Sequence, residues 1–176
     1  MSSYSSLLVD IGGTNMRYAY ANKRNISEEK ILSNISDQKI NKTLGNLLSN
    51  PQIKNAVIAA AGPRLGNRIE MTNRKVIVDG DLIGKKFKLA NSQVLNDWEA
   101  VGYAIDEMKL KKIKKGKSKS NVDLMIGPGT GLGFAIVADG KVIPTEIGNT
   151  KLHSKLLLNN LGIRPSKYFS VLEDVI

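Results

Sequence analysis

Two short stretches of this chain set glycines beside polar groups at the end of an apolar run. Residues 9–15 read Val9, Asp10, Ile11, Gly12, Gly13, Thr14, Asn15, and they are followed by the alternating segment MRYAYA. Residues 127–133 read GPGTGLG, with Gly129, Thr130 and Gly131 at the centre, and they too separate two apolar segments. Glycine has no Cβ, so backbone N–H groups there approach an anion closely, and a threonine hydroxyl adds a further donor. Two such turns have the chemistry of a phosphate clamp. Asp10, at the first of them, suits Mg²⁺, which is commonly held by one or two carboxylates together with substrate phosphates. Either turn taken alone is equally an ordinary tight hairpin; their occurrence as a pair, one with a charged tip, points to an anion site.

A third stretch, SQVLND at 92–97, ends an apolar strand on Asn96 and Asp97 just before a helical pattern. Open α/β sheets gather ligand-binding groups at such strand ends. There a carboxylate is able to take the proton of a substrate hydroxyl, and an amide both donates to and accepts from a polyol. Aspartate is also a common helix cap, and the local sequence leaves both roles open for Asp97.

The elements that would position these groups are legible in the apolar spacing. Residues 5–10, 16–21 and 26–33 read as three strands of an antiparallel meander, the third the weakest. Residues 36–49 carry apolar positions 40, 44, 47 and 48, one face of a helix capped by Ser36 and stopped by Pro51. Residues 55–63 read as a buried strand, 68–72 and 75–78 as short extended pieces, and 80–87 as a brief helix. A helix then runs from Trp98 through positions 101, 105 and 108. Beyond a lysine-rich segment the opening pattern restarts, with strands at 122–126, 133–138 and 141–145 and a hairpin signal at Asp139-Gly140. The chain thus repeats a strand-turn-strand unit. Both glycine turns lead into strands, whereas dinucleotide-binding and P-loop motifs open helices, which disfavours those two nucleotide classes.

With 176 residues, 41% of them hydrophobic, the chain has material for one core and part of a second. The absence of cysteine excludes disulfides and thiolate metal sites, and His153 alone builds no histidine cluster. A cytoplasmic location is the default expectation. The amino terminus lacks a basic region, and its apolar run is too short for a signal peptide or a membrane span. The net charge of +10 is concentrated in residues 109–120, which hold seven lysines, no acid and no interleaved aromatic. Such a run is most simply a solvated linker, so no nucleic-acid or membrane partner is expected.

The stretches VDIGGTNMRYAYA, AAGPRLGNRIEMTN, VLNDWEAVGYAI and IGPGTGLGFAIVADGKVIPTEIGN, taken in this order and spacing, resemble the bacterial glucokinase family of the hexokinase, actin and Hsp70 superfamily. The resemblance runs from about Leu7 to Ile176. It implies an α/β fold: a ribonuclease-H-like, actin-like ATPase domain with a mixed sheet over residues 1–110, a lysine-rich linker at 111–120, and the beginning of a second such domain at 121–176. It also implies ATP-dependent phosphorylation of glucose, or a similar hexose, at the 6-hydroxyl, with Mg²⁺. The first phosphate loop would be Asp10 to Asn15 on the end of β-strand residue Val9, and the second would be centred on Gly129, Thr130 and Gly131. Asp97 would be the general base and Asn96 a sugar ligand. Glu146 and Glu173 match the two sugar-binding glutamates, and Asn149 stands where the family has a histidine. Family members continue past the equivalent of Ile176, so the chain corresponds to the front part of a glucokinase, and a homodimer covering the apolar surface left exposed is expected. The repressor and sugar-kinase relatives share the DIGGT and EIG elements but carry a cysteine-rich zinc motif that a cysteine-free chain lacks. A non-catalytic sugar- or phosphate-binding remnant is the alternative by class.

Overall fold

The computed structural model describes residues 4–23, 25–114, 121–128 and 132–145. The chain divides into two compact units between Ala100 and Val101.

In the first unit, strand β1 (Ser6–Ile11) turns through the first glycine pair into β2 (Met16–Ala21), which pairs with it antiparallel from Ser6 opposite Ala21 to Ile11 opposite Met16. Strand β3 (Lys30–Leu32) completes the meander. It is shorter than the 26–33 span expected from sequence, since Ile26 makes only an isolated bridge to Ala21 and the charged residues between cover no core. Helix α1 (Asp37–Leu48) follows, with Ser36 capping it through a bond from the Lys39 N–H, and it carries the chain back so that β4 (Asn55–Ala60) lies parallel to β1. After β4 come three short strands, β5 (Arg64–Leu65), β6 (Arg68–Glu70) and β7 (Ile77–Asp79), forming a small antiparallel sheet of their own. Helix α2 (Gly80–Phe87) and strand β8 (Asn91–Asn96) close the unit, β8 lying parallel to β4. The main sheet is therefore mixed, in the order β3-β2-β1-β4-β8.

Strand β4 ends at Ala60, not at 63. Gly62 adopts φ +150° and Pro63 has no N–H to offer a ladder, so the chain leaves the sheet there. Helix α3 (Asp97–Tyr103) begins without a loop after β8 and is also shorter than its apolar spacing suggests: a 3-10 turn occupies Ile105–Glu107, and Met108 is extended.

Leu7, Val9 and Ile11 on one face of β1 join Ile58 of β4, Val94 of β8 and the Ile40, Leu44 and Leu48 stripe of α1 in a single buried cluster. Each fully buried aliphatic side chain of this kind contributes about 1.5–3 kcal/mol relative to exposure. This core fixes the register of the three parallel strands, and the register aligns their carboxyl ends: Ile11, Ala60 and Asn96 stand side by side along one edge. The candidate groups at Asp10 to Asn15 and at Asn96 to Asp97 are brought to that same edge by packing far from them.

In the second unit, β9 (Val122–Pro128), β10 (Leu132–Ala138) and β11 (Lys141–Pro144) form another antiparallel meander. Asp139 and Gly140 both take positive φ, 49° and 73°, as a two-residue hairpin between right-twisted strands requires. The succession of strands is that of β1 to β3. Among the described residues, no helix is long and apolar enough to cross a membrane.

Candidate active site

Gly12 closes the first turn by donating its N–H to the Asn15 carbonyl at 2.9 Å, which leaves Gly13 and Thr14 exposed at the tip. The Val9 and Ile11 side chains, 5% and 0% exposed, face the core, so these two residues have only backbone to offer a ligand. Asp10 lies between them with a partly exposed carboxylate, and its Oδ2 accepts from Arg17 Nη1 at 2.9 Å. Exposed pairs of this type are worth about 0–1 kcal/mol, so Arg17 orients Asp10 more than it stabilises the fold.

In the register Asp10 pairs with Ala59, and Ala59 with Leu95. With strands about 4.8 Å apart, the backbone of Asp10 stands roughly 10 Å from that of β8 at the same height. Asp97, the first residue of α3, extends from the end of β8. Burial pushes its carboxyl above the ordinary carboxylate range, the Trp98 N–H opposes this, and the like charge of Asp10 raises it further. A carboxylate with a raised pKa is a stronger base, and two neighbouring groups of like charge are a recurrent signature of a ligand or reaction site.

The two readings of this strand end divide between its residues. Asp97 Oδ1 does accept from the Trp98 N–H at 2.9 Å, but the cap of α3 is Asn96. Asn96 Oδ1 accepts from the N–H groups of Trp98 at 2.9 Å and Glu99 at 3.1 Å, and the Asn96 N–H donates to Glu99 Oε2 at 3.1 Å. This is a reciprocal capping box of spacing N-x-x-E. Asn96 is 2% exposed, and its Nδ2 also donates to the Gly62 carbonyl at 3.0 Å. Glu99, 1% exposed, shares Oε2 with Arg64 Nε at 2.9 Å, and its buried Oε1 has no hydrogen-bond partner among the described residues. The backbone under Asp97 is thus held by a cap, a glycine carbonyl and a buried ion pair. Sequence reasoning missed Glu99 and Arg64; the Asn-x-x-Glu spacing was the available signal for the first, and nothing local marks the second.

Gly62 shows how tightly this strand end is held. A Cβ placed there would lie 2.6 Å from the Glu70 carbonyl oxygen, at a φ that L side chains rarely adopt. Gly62→Ala is expected to cost about 2–3 kcal/mol in urea denaturation, from backbone strain of roughly 1–3 kcal/mol and displacement of the carbonyl that Asn96 bonds.

Asp10 fits a magnesium ion by donor chemistry. No group of three or more histidine or carboxylate ligands exists among the described residues, so an ion there would take phosphate oxygens and water as its other ligands, as Mg²⁺ habitually does. Gly129, Thr130, Gly131, Glu146, Asn149 and Glu173 lie outside the described residues.

Comparison with known proteins bears on this arrangement. The family model described as Glucokinase matches residues 7–156. The glucokinase of Campylobacter jejuni subsp. doylei is 32% identical over 141 residues, which are 76% of this chain and 42% of the relative. The glucokinase of Mesorhizobium japonicum is 33% identical over 138 residues, 73% of this chain and 40% of the relative. The chain therefore spans about two fifths of the length of these curated relatives. The crystal structure of glucokinase from Balamuthia mandrillaris in complex with glucose superposes with a TM-score of 0.69 at 19% identity, covering 99% of this chain and 59% of that one. The shared fold is the α/β, ribonuclease-H-like arrangement with a mixed sheet. From the match over residues 7–156, which takes in the first glycine turn, the Asn96-Asp97 strand end and the second glycine turn, it follows that the chain belongs to the glucokinase family.

Proposed function

We propose that this chain is the sugar- and phosphate-binding part of an ATP-dependent hexose kinase that phosphorylates glucose at its 6-hydroxyl. The observation that carries the reading is the partly buried carboxyl of Asp97, raised by burial and by Asp10, at the strand edge it shares with the first glycine turn. Asp97 accepts the proton of the 6-hydroxyl as that oxygen attacks the terminal phosphorus and ADP leaves; Asn96 and Asp97 together hold the sugar. The backbone N–H groups and hydroxyl of Gly12 to Asn15 form the first phosphate loop of this reading, and Gly129, Thr130 and Gly131 the second. Glu146, Asn149 and Glu173 complete the sugar contacts. Bound Mg²⁺, held through Asp10, would neutralise charge developing on the transferred phosphoryl group. Most of the rate enhancement then comes from positioning and electrostatics, which suits a site assembled from backbone turns and strand ends.

Support for glucose as the sugar comes from the named relatives and from the glucose-bound neighbour. The place in metabolism that follows is entry into glycolysis, in the cytoplasm, where a cysteine-free chain is at home. We propose a homodimer as the assembly, on account of Val122, Leu124 and Ile126, which expose one apolar face of β9. Nucleic acid and membranes have no part in the proposal.

Calorimetric titration of glucose into the chain tests the sugar half of this reading. Saturable one-to-one binding is expected, weakened at least tenfold by Asp97→Ala. Equal affinity in the two proteins would remove Asp97 from the sugar site.

A further inference from the structure

Arg74 lies between β6 and β7, 62 residues from the first glycine turn in sequence, yet its guanidinium closes behind that turn. Its side chain is only 9% exposed. Nε donates to the Gly12 carbonyl at 3.1 Å, and Nη1 donates to the Ile35 carbonyl at 2.8 Å and to Asp37 Oδ1 at 2.9 Å. Ile35 in turn donates its N–H to the Thr14 carbonyl at 3.3 Å, and Asp37 Oδ2 accepts from the Lys75 N–H at 3.1 Å. One buried fork therefore grips the turn directly at Gly12 and, through Ile35, at Thr14.

The peptide joining Gly12 to Gly13 is the one in the turn with least intrinsic preference for orientation, because neither flanking residue has a Cβ. In a planar trans peptide the carbonyl and the following N–H point in opposite directions. Holding the Gly12 oxygen inward against Arg74 therefore turns the Gly13 N–H outward, at an exposed tip. We propose that Arg74 is a positioning residue that locks the Gly12–Gly13 peptide in the orientation offering its N–H to a phosphate. The proposal rests on the reading of residues 10–15 as a phosphate loop. Lysine would not replace arginine here, since a single ammonium has no rigid fork to satisfy three acceptors on two separate segments, the first turn and the start of α1.

The test follows the Gly13 amide resonance of the ¹⁵N-labelled chain as inorganic tripolyphosphate is added. In the unmodified protein that resonance shifts with saturation. In Arg74→Met it starts from a different position and the affinity falls at least tenfold, while glucose affinity by calorimetry stays within about twofold. Arg74→Lys, which keeps the charge but not the fork, behaves like Arg74→Met and serves if the latter does not fold. Asp37→Asn, which weakens the ion pair but leaves the bond to Gly12, lowers thermal stability and keeps tripolyphosphate affinity within about twofold. A Gly13 response that both Arg74 variants leave intact overturns the role of Arg74 alone. No response in the unmodified protein overturns the phosphate-loop reading, and the role of Arg74 with it.

Discussion

Arg64→Met is expected to lower the unfolding free energy by about 3 kcal/mol, the lower end of the cost of breaking a buried ion pair by removing one partner. The lower end applies because Arg64 keeps 25% of its side chain in water, whereas Glu99, left behind, is 1% exposed. Among the described residues Glu99 Oε1 has no hydrogen-bond partner, so losing Arg64 leaves that carboxylate with only the Asn96 N–H among its described contacts. In a chain of 176 residues, about 3 kcal/mol corresponds to a fall in Tm of roughly 6–12 °C. The double variant Arg64→Met, Glu99→Gln should recover most of it, since a neutral amide at position 99 carries no unpaired charge and keeps an oxygen for Asn96. Thermal denaturation of the single and double variants checks both statements; equal losses in the two would mean that the ion pair is not what Arg64 contributes.

Asp97→Asn should have the opposite effect on stability while removing the proposed base. The folded-state pKa of Asp97 is raised, chiefly by burial, so between the unfolded and folded pKa values the native protein binds more protons than the unfolded chain. Stability contributed by this group is therefore complete below the ordinary aspartate value of about 3.9 and declines as pH rises through the folded pKa. At neutral pH the charged carboxylate is held at a cost that asparagine does not incur, and asparagine keeps the oxygen that accepts from Trp98. The variant should melt at a higher temperature than the unmodified protein at pH 7, with the difference vanishing as the pH falls below 4. A variant less stable at pH 7 would mean that Asp97 is held as a structural cap, not as a strained functional group.

Much of this site is visible in the sequence because local rules govern it. Glycine pairs at the end of an apolar run, the Ser36 cap, and Asn96-Asp97 at a strand-helix junction each follow from residues within a few positions of one another. The Asp139-Gly140 hairpin is of the same kind. What the sequence concealed depends on contacts across many residues. Arg74 grips Gly12 from 62 positions away, and Asn96 bonds the Gly62 carbonyl from 34 positions away. No periodicity or spacing marks such partners. The division of labour at the strand end was concealed for a different reason: either Asn96 or Asp97 satisfies the preference for a cap, and only the geometry places the capping box on Asn96 and Glu99. Element ends depart from the apolar pattern where tertiary context overrides it. The apolar spacing at 105 and 108 continues past Tyr103, but the backbone there tightens into a 3-10 turn and then extends. The strand pattern of 55–63 continues past Ala60, but Gly62 and Pro63 turn the chain out of the sheet.

The hexose-kinase reading proposed for this chain makes a single demand that a binding-only reading does not share: the carboxylate at position 97 takes a proton from a sugar hydroxyl. A coupled assay of glucose 6-phosphate formation from glucose, ATP and Mg²⁺, run on the folded chain and on Asp97→Asn under identical conditions, tests that demand most directly. The expected result is turnover by the unmodified chain and a fall in kcat of about 10²–10⁴ in the variant, the range that a positioned general base contributes. Turnover at equal rates in both proteins, or in neither, would contradict it.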